Sequence, residues 1–376
     1  PHPRPKGRPA QKTSIPQSLW GDSLRSNPMQ NFTNGVNLGG WLSQYPEYDH
    51  EHFRTFITRA DVERIAGWGF DHIRLPVDYP VLESDNAPGQ YREDGFQYID
   101  SCLEWCQAAG LGVVFDLHHA PGYSFDNTLQ PETLHLNVLF EQEAAQNRFI
   151  ALWQAIVRRY HNAGVPIIFE LLNEVVLPES SPWNHLAHRT VAALRQISPD
   201  CKIMIGGNHY NAPSELKNIA RLNDPNVLYT FHFYEPFLFT HQKASWTQVV
   251  REFDQTLEYP GEFTGLEAFL QRAPHHREGY EWLIGRPLDR TLMREFLVPV
   301  FDFIKESGQV PYCGEYGVID CAPAESRRNW HADLLDIFKQ YNIGRAVWSY
   351  KGMSFRLVDY AGQIADPALI QILTRR

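Results

Sequence analysis

Two glutamates stand at the ends of apolar runs in the sequence. Glu174 closes the run PIIFELLNE at 166–174, and Glu315 closes the run 310–315. Two carboxyl groups facing each other across a cleft are the minimal apparatus for cleaving a glycosidic bond, because one protonates the leaving oxygen while the other attacks the anomeric carbon. Either glutamate alone is a weak signal, since an Asn-Glu pair can also cap a helix. Together they predict acid/base and nucleophilic chemistry on a sugar.

Other polar and aromatic residues follow further apolar runs and are expected at the same rim. The candidates for supporting roles are Arg74, His118, Asn173, His232, Tyr234 and Trp348. A guanidinium and a phenol beside Glu315 should lower its pKa, whereas Glu174 needs a raised pKa to hold a proton. Asn173 is a candidate donor to the sugar 2-hydroxyl, and Trp348 is a candidate platform under the ring. Taken singly, Arg74 also fits an ordinary ion pair, and the histidines and Trp348 also fit the core.

Aromatic and polar residues in the adjoining segments are candidates for contact with substrate. These are Trp41, His119, Tyr123, Asn208, Tyr210, Glu235, Trp246 and Lys351, together with Tyr45, Trp183, His209 and Phe355. Sugars present flat apolar faces and many hydroxyls, so stacking rings and hydrogen-bonding side chains suit them. The chain is 13% aromatic with 10 Trp. Most tryptophans are nevertheless expected in the core.

The elements that must position these residues follow a repeating pattern of short apolar runs and amphipathic stretches. The apolar runs lie at 35–38, 72–77, 112–118, 166–174, 202–206, 227–234, 310–315 and 345–350. Helices are predicted over 59–68, with Thr58 as N-cap, and over 95–109, 141–161, 185–197, 291–305 and 327–340. Eight strands with interleaved helices predict an α/β fold, a closed (β/α)₈ TIM barrel.

Residues 31–376 are predicted to form one catalytic barrel domain, preceded by an N-terminal extension over 1–30 that is rich in Pro, Lys, Arg and Ser. Two connections are long, at 120–140 after the third strand and at 235–290 after the sixth. Both follow the strand ends where barrel enzymes place their chemistry. We expect the second insertion to carry structure of its own, to pack beside Tyr234 and to narrow one end of the cleft, which would favour short chains or chain ends.

Composition and charge limit the classes of molecule that the protein is expected to bind. A net charge of −10 and a pI of about 5.9 disfavour nucleic acid and anionic membrane and suit a neutral carbohydrate. No apolar run is long enough to span a bilayer, the five cysteines are read as thiols, and a monomer is expected. No cofactor and no metal are expected, and His275 and His276 are interpreted as solvated loop residues. The compartment is left unassigned.

At this point the chain resembles the family 5 glycoside hydrolases, which include cellulases, mannanases and exo-1,3-glucanases. The resemblance covers about 31–360 and rests on GVNLGGW (35–41), HIRLPV (72–77), DLHH (116–119), ELLNE (170–174), TFHFYEP (230–236), GEYG (314–317) and AVWSY (346–350). It implies a retaining mechanism with Glu174 as general acid/base and Glu315 as nucleophile. The sequence departs from the family in the 123–137 loop and the 235–290 insertion, which are expected to decide the substrate.

The favoured interpretation is a retaining hydrolase of β-glycosidic bonds in neutral oligo- or polysaccharide, with β-glucan as the leading substrate. Retention predicts a separation of about 5 to 5.5 Å between the two catalytic carboxyl groups. One alternative is an exo-acting β-mannosidase on the same fold, because the two sugars differ only in the orientation of one hydroxyl. The other is a catalytically silent carbohydrate-binding barrel.

Overall fold

The computed structural model describes residues 31–375, so the predicted extension over 1–30 lies outside the described residues. Its strands are β1 Asn34–Asn37, β2 His72–Asp78, β3 Gly112–His119, β4 Ile167–Glu170, β5 Lys202–Gly206, β6 Val227–Phe233, β7 Gly261–Glu262, β8 Pro287–Leu288, β9 Tyr312–Tyr316 and β10 Arg345–Val347. All but β7 and β8 pair in parallel and close a barrel in the order β1, β2, β3, β4, β5, β6, β9, β10. The predicted (β/α)₈ barrel is therefore confirmed.

The barrel strands are readable in the sequence because each is buried on both faces. Every residue of β2 and β6 is buried, which produces a continuous apolar run rather than an alternating one. Six strands each contribute one side chain to an apolar layer inside the barrel, and Phe32, which precedes β1, also belongs to it. The strand residues of the layer are Val114, Ile168, Met204, Leu228, Tyr312 and Ala346. Two residues further along β3 and β4, on the same face, the interior becomes charged at Asp116 and Glu170.

Helices surround the barrel close to their predicted positions. The α-helices are His50–Thr55, Arg59–Trp68, Glu93–Ala109, Glu143–Tyr160, Ser181–Arg195, Phe237–Thr240, Gln248–Phe253, Leu266–Arg272, Arg277–Tyr280, Arg290–Phe296, Val298–Ser307, Ala324–Tyr341 and Pro367–Leu373. Shorter 3₁₀ helices are Tyr79–Val81, Phe125–Thr128, Pro131–Leu136, Pro213–Asn218, Pro274–His276 and Glu281–Leu283. Residues 208–211 form one irregular turn, since His209 and Tyr210 both have positive φ.

Local chemistry explains where two of these helices begin and end. The helix Arg59–Trp68 starts at the predicted cap, where the Thr58 backbone N–H donates to Asp61 Oδ2 at 2.9 Å. Glu93–Ala109 ends at Gly110, whose φ of 72° is costly for any residue with a Cβ. The single helix predicted over 291–305 is wrong, because Pro299 has no N–H to donate and a second helix starts at Val298.

The fourth barrel strand is shorter than predicted. β4 ends at Glu170, and Glu174 has a φ of +44°, which lies outside the extended region. Asn173 still donates its backbone N–H to Leu117 O at 3.1 Å, so the segment remains tied to β3. Glu174 is thus presented by a turn just above the barrel rather than by the strand itself.

The two long connections have the positions predicted for them. The connection after β3 contains two 3₁₀ helices, and the insertion after β6 contains helices and the antiparallel pair β7 and β8. The insertion begins by packing beside Tyr234, whose ring lies 5.0 Å from that of His241. The five cysteines are free thiols. Within 31–375, none of the helices has the length and apolar character needed to cross a bilayer.

Candidate active site

Arg74 is the centre of a buried network at the carboxyl end of the barrel. Its Nε and Nη2 donate to the two oxygens of Glu170 at 2.7 and 3.0 Å, and its Nη1 donates to Glu315 Oε1 at 2.8 Å. Asp116 Oδ2 lies 3.1 Å from Nη2. All four side chains are buried, so the positive charge is offset by carboxylates in a site of low dielectric. The guanidinium therefore holds Glu315 in a fixed orientation.

Three members of this network were missed from the sequence as site residues. They are Glu170, Asp116 and Asn37, whose Oδ1 accepts from Arg74 Nη1 at 3.0 Å. A usable signal was present, because a carboxylate inside a strand that is buried on both faces must be paired with a cation. Glu170 in the run IIFE and Asp116 in VVFDL both meet that criterion.

Glu315, on β9, accepts one hydrogen bond on each carboxylate oxygen. Arg74 contacts Oε1, and the Tyr234 hydroxyl donates to Oε2 at 2.9 Å. Burial nevertheless raises the pKa of Glu315 above its ordinary value, while Arg74 and the Tyr234 hydroxyl act to lower it. Arg74 and Tyr234 act on this pKa in the expected direction, but desolvation outweighs them.

Glu174 has a different environment, in which its carboxyl group is hydrogen-bonded to a histidine. Burial and then the charge of Glu315 raise its pKa well above the ordinary value, as its predicted role requires. His232 Nδ1 lies 2.8 Å from Glu174 Oε1, and burial lowers the pKa of His232 well below its usual value, so the ring is neutral. The Asn211 amide donates to Nε2 at 3.3 Å, which leaves the proton on Nδ1 to be donated to Glu174.

The two glutamates lie close together across the mouth of the barrel. One ligating oxygen of Glu174, one of Glu315 and a ring nitrogen of His232 all lie within 4.8 Å of one another. These three groups could hold a metal ion, and two carboxyl groups at this spacing also suit a direct attack on a sugar held between them. The structure thus brings together the two residues on which the sequence prediction rests.

Two donors at the site have no hydrogen-bond partner among residues 31–375. Asn173 Nδ2 is buried without a hydrogen bond, although Asn173 Oδ1 accepts from Arg74 Nη2 at 2.9 Å. His118 Nε2 is likewise unpaired, while its Nδ1 lies 2.7 Å from Asp116 Oδ2. Burial lowers the pKa of His118 to about 4, so this ring is neutral. Both side chains are left with hydrogen-bonding capacity that a bound sugar can use.

Trp348 stands beside these donors. Its ring stacks on His118 with centroids 5.8 Å apart and planes 6° apart. A Cβ at Gly39 would come within 2.7 Å of the indole, so this glycine makes room for the ring. The indole therefore has a fixed orientation at the end of β10, as a platform requires.

Several predicted substrate contacts are instead structural, and these predictions are corrected. Trp41 is fully buried, and its indole N–H donates to Phe53 O at 2.8 Å. Trp183 is buried as well, with its N–H on Gly206 O. Both amide atoms of Asn208 bond the backbone of Leu177. Lys351 Nζ donates to Phe56 O at 2.7 Å. These side chains use their polar atoms to fix neighbouring backbone segments.

Other predicted contacts lie at or near the rim. His119 sits between Asp78 and Asp126 at 3.1 and 3.3 Å; burial opposes its protonation, but the two carboxylates raise its pKa to about 10. Two of the remaining residues are hydrogen-bonded: Tyr210 to the Thr128 hydroxyl at 2.8 Å, and Glu235, which accepts from the Phe237 backbone N–H at 2.9 Å. Two pack against other rings: Phe355 lies 5.8 Å from the Tyr234 ring, and Tyr45 packs edge-on against Phe53. Trp246 is 47% exposed and His209 is half-buried.

Tyr123 was also predicted to contact substrate, but its hydroxyl is occupied by the Glu174 turn. The hydroxyl donates to Glu174 O at 3.0 Å and accepts from the Val176 backbone N–H at 2.7 Å. The ring is buried. Because Glu174 has a positive φ, which few residues adopt without support, these two bonds hold an otherwise unfavourable turn in place. Tyr123 is thus a positioning residue for Glu174.

Substitution Tyr123→Phe should therefore lower kcat about 5- to 30-fold, because one buried hydrogen-bonded group contributes about 1 to 2 kcal/mol. KM should change much less, since the substrate is not touched. The matched control is Tyr160→Phe, which removes a hydroxyl bonded to Asp100 at 2.8 Å in a helix outside the site. That variant should lose stability and keep its kcat. Equal kcat values for the two variants would contradict the positioning role.

Comparisons with known proteins agree with this geometry. The family model described as Cellulase (glycosyl hydrolase family 5) matches residues 29–354. Endoglucanase C of Acetivibrio thermocellus is 46% identical over 348 residues, covering 93% of this chain and 99% of that protein. Cellodextrinase A of Ruminococcus flavefaciens is 35% identical over 312 residues, 83% of each chain. The crystal structure of endoglucanase Cel5A from Thermotoga maritima has the same fold, with a TM-score of 0.70 at 23% identity, covering 92% of this chain and 99% of that one.

Proposed function

Because the chain belongs to glycosyl hydrolase family 5, a family of retaining enzymes that hydrolyse β-glycosidic bonds, we propose that Glu315 is its nucleophile and Glu174 its general acid/base. The chain is accordingly a carbohydrate-active hydrolase of cellulase type. Membership of the family, together with both carboxylates in place, argues against the catalytically silent barrel. Since one closed barrel supplies both carboxyl groups and the network around them, we further propose that the monomer is the active form.

In the first step, a carboxylate oxygen of Glu315 attacks the anomeric carbon and forms the glycosyl ester. The bond from that carbon to the leaving oxygen breaks, and the proton of Glu174 passes to this oxygen. In the second step, Glu174, now a carboxylate, takes a proton from water as the water oxygen attacks the anomeric carbon. The ester bond breaks and Glu315 is released as a carboxylate. Two displacements at one carbon leave the β-configuration of the substrate unchanged.

The assignment of the two roles rests on one observation, the unequal hydrogen bonding of the two glutamates. Each carboxylate oxygen of Glu315 accepts a hydrogen bond from a strong donor, and one of the two donors is the buried guanidinium of Arg74. Within the described part of the chain, the carboxyl group of Glu174 has only the neutral His232 as a comparable partner. Donors stabilise the ionised form, so Glu315 loses its proton first, and its charge then keeps Glu174 protonated. Their close spacing supports a direct nucleophile, because an inverting enzyme needs room for water between them.

Asn173 and Trp348 complete the proposed sugar site. The free Nδ2 of Asn173 is available to the 2-hydroxyl of the reacting sugar, a contact that strengthens as positive charge develops in the transition state. Trp348 supplies the flat apolar surface under the ring, held by its stacking on His118. His118 Nε2 offers a further hydrogen bond to a hydroxyl.

For the substrate we propose internal β-linked bonds of soluble glucan chains, short ones included. The relative named an endoglucanase suggests internal cleavage, and the one named a cellodextrinase suggests short chains. The test compares carboxymethyl-cellulose, lichenan, laminarin and mannan for viscosity and for reducing ends released. An early loss of viscosity on a glucan is expected. Monosaccharide release without viscosity loss would favour chain-end action through a cleft narrowed by the insertion, and faster release of mannose would favour the mannosidase alternative.

The directions of the two pKa shifts predict a bell-shaped dependence of kcat/KM on pH. Burial raises the pKa of Glu315, so the acidic limb should lie above the ordinary range of a glutamate, and activity should fall as pH drops through it. Burial and the charge of Glu315 raise the pKa of Glu174 well above its ordinary value. Activity should therefore fall again as the pH rises through the pKa of Glu174. The measurement is kcat/KM on an aryl β-glucoside across pH. Replacing Glu174 by glutamine should remove the basic limb, and its persistence would contradict this assignment.

A further inference from the structure

The insertion after β6 brings together three side chains that the sequence prediction left as solvated loop residues or did not consider. Glu252 lies on the helix Gln248–Phe253, and His275 and His276 lie on the 3₁₀ helix Pro274–His276. Glu252 Oε2 is 3.4 Å from His275 Nε2 and 3.1 Å from His276 Nε2. Two imidazoles and one carboxylate thus converge from two separate helices. None of the three belongs to the proposed catalytic site.

The spacing of these atoms suits a metal ion. One ligating atom from each residue lies within 4.8 Å of the other two. Zinc bound by imidazole nitrogen and carboxylate oxygen at about 2.0 to 2.2 Å in tetrahedral geometry places neighbouring ligands roughly 3.3 to 3.5 Å apart. The two observed nitrogen-to-oxygen distances are close to that range.

Neighbouring residues hold the ligands in orientation. Gln248 Nε2 donates to Glu252 Oε1 at 2.6 Å and so leaves Oε2 facing the histidines. The ring of His276 stacks on Phe269 with centroids 5.7 Å apart. The carboxylate of Glu252 and the ring of His276 are thus held in place by residues outside the cluster.

We propose that Glu252, His275 and His276 form a surface site for a divalent transition-metal ion of the zinc type, with solvent completing the coordination. Two histidines and a carboxylate are a ligand set that zinc uses in proteins. The His275 side chain is 57% exposed, so the ion exchanges with solvent. Its effect is to join the helix Gln248–Phe253 to Pro274–His276, and so to stabilise the insertion that begins beside the rim.

The test is a calorimetric titration of the full chain with Zn²⁺ after treatment with a chelator, together with thermal unfolding. One equivalent of Zn²⁺ should bind to the wild type and raise its unfolding midpoint. The double variant with His275→Ala and His276→Ala should lose that equivalent, as should Glu252→Gln. Gln248→Ala should weaken binding about tenfold, because it removes only the group that orients a ligand. His185→Ala, at an exposed helix position outside the cluster, is the matched control and should bind as the wild type does.

Two outcomes of these titrations would overturn the proposal of a metal site. Wild type that takes up no more Zn²⁺ than the double variant would overturn the proposal and leave the cluster as an ion pair of histidine and glutamate. Binding that survives in the double variant and competes with substrate would place the ion at Glu174, His232 and Glu315 and would also overturn it. Hydrolysis of an aryl β-glucoside by the double variant should match that of the wild type, which shows that the barrel remains folded.

Discussion

Replacing Glu315 by alanine should abolish hydrolysis of every substrate, with kcat falling about 10⁴-fold or more. Without the nucleophile the glycosyl ester cannot form, and the buried Arg74 guanidinium loses one of its carboxylate partners. The measurement is release of aryl alcohol from activated and unactivated aryl β-glucosides. Because the ester forms in the same step in which the leaving group departs, both substrates should be affected alike.

The matched control for this variant is Glu325→Ala, which removes an exposed carboxylate from the first turn of the helix Ala324–Tyr341. It should keep the wild-type rate. Added azide can occupy the space of the lost Glu315 carboxylate and attack the sugar directly, and the product should then be the α-glycosyl azide. A β-glycosyl azide from the Glu315 variant would show that a second nucleophile is still present and that the two roles are exchanged.

Replacing Glu174 by alanine should give a different and substrate-dependent loss. Without the acid, substrates with poor leaving groups should lose roughly 10² to 10⁴ in rate, whereas activated aryl glycosides should still form the ester. The ester should then accumulate, because no base activates water. Azide needs no base, so it should accelerate turnover and give the β-glycosyl azide. The measurement is the initial burst of aryl alcohol, followed by the steady rate with and without azide.

His232→Ala is a matched control for the Glu174 variant, because it removes the imidazole that donates to Glu174 Oε1 and leaves the carboxyl group itself. It should slow both steps and should show no acceleration by azide. If the Glu174 variant lost activated and unactivated substrates in equal proportion, Glu174 would not be the acid, and the assignment would fail.

The barrel could be predicted from sequence because burial on both faces leaves a direct trace in composition. β2 and β6 coincide closely with their predicted runs for this reason. The end of β4 could not be predicted in the same way, since Leu171 to Glu174 remain apolar or site-forming after the ladder ends. The positive φ of Glu174 depends on the Tyr123 hydroxyl, which comes from a loop 51 residues away.

The position of Glu174 and Glu315 could be anticipated because polar residues at the ends of parallel strands share one rim. The substrate contacts were harder to predict, because an aromatic ring or amide in a rim loop serves equally well to tie the loop down. Trp41 and Asn208 do this, whereas Trp246 is exposed. The distinction depends on which backbone groups are left unpaired in the folded chain. That information is not local in sequence.

The net pKa shift of Glu315 also could not be predicted from the sequence. Arg74 and Tyr234 were identified as its partners, and both contacts exist. The net direction of its pKa depends on how completely the site excludes water, and burial is the larger effect. A motif predicts which groups meet, but it carries no measure of desolvation.

The central claim is that Glu315 forms a covalent bond to the sugar, and trapping that ester tests it most directly. An activated 2-deoxy-2-fluoro-β-glucoside slows both steps by destabilising the positive charge of the transition state, and its good leaving group lets the ester form and persist. The protein is then digested and its peptides are measured by mass spectrometry. We expect one added fluoroglucosyl group per chain, located on Glu315. A label on Glu174 would contradict the account. So would an enzyme that does not react with the reagent and hydrolyses the parent glucoside with inversion of configuration.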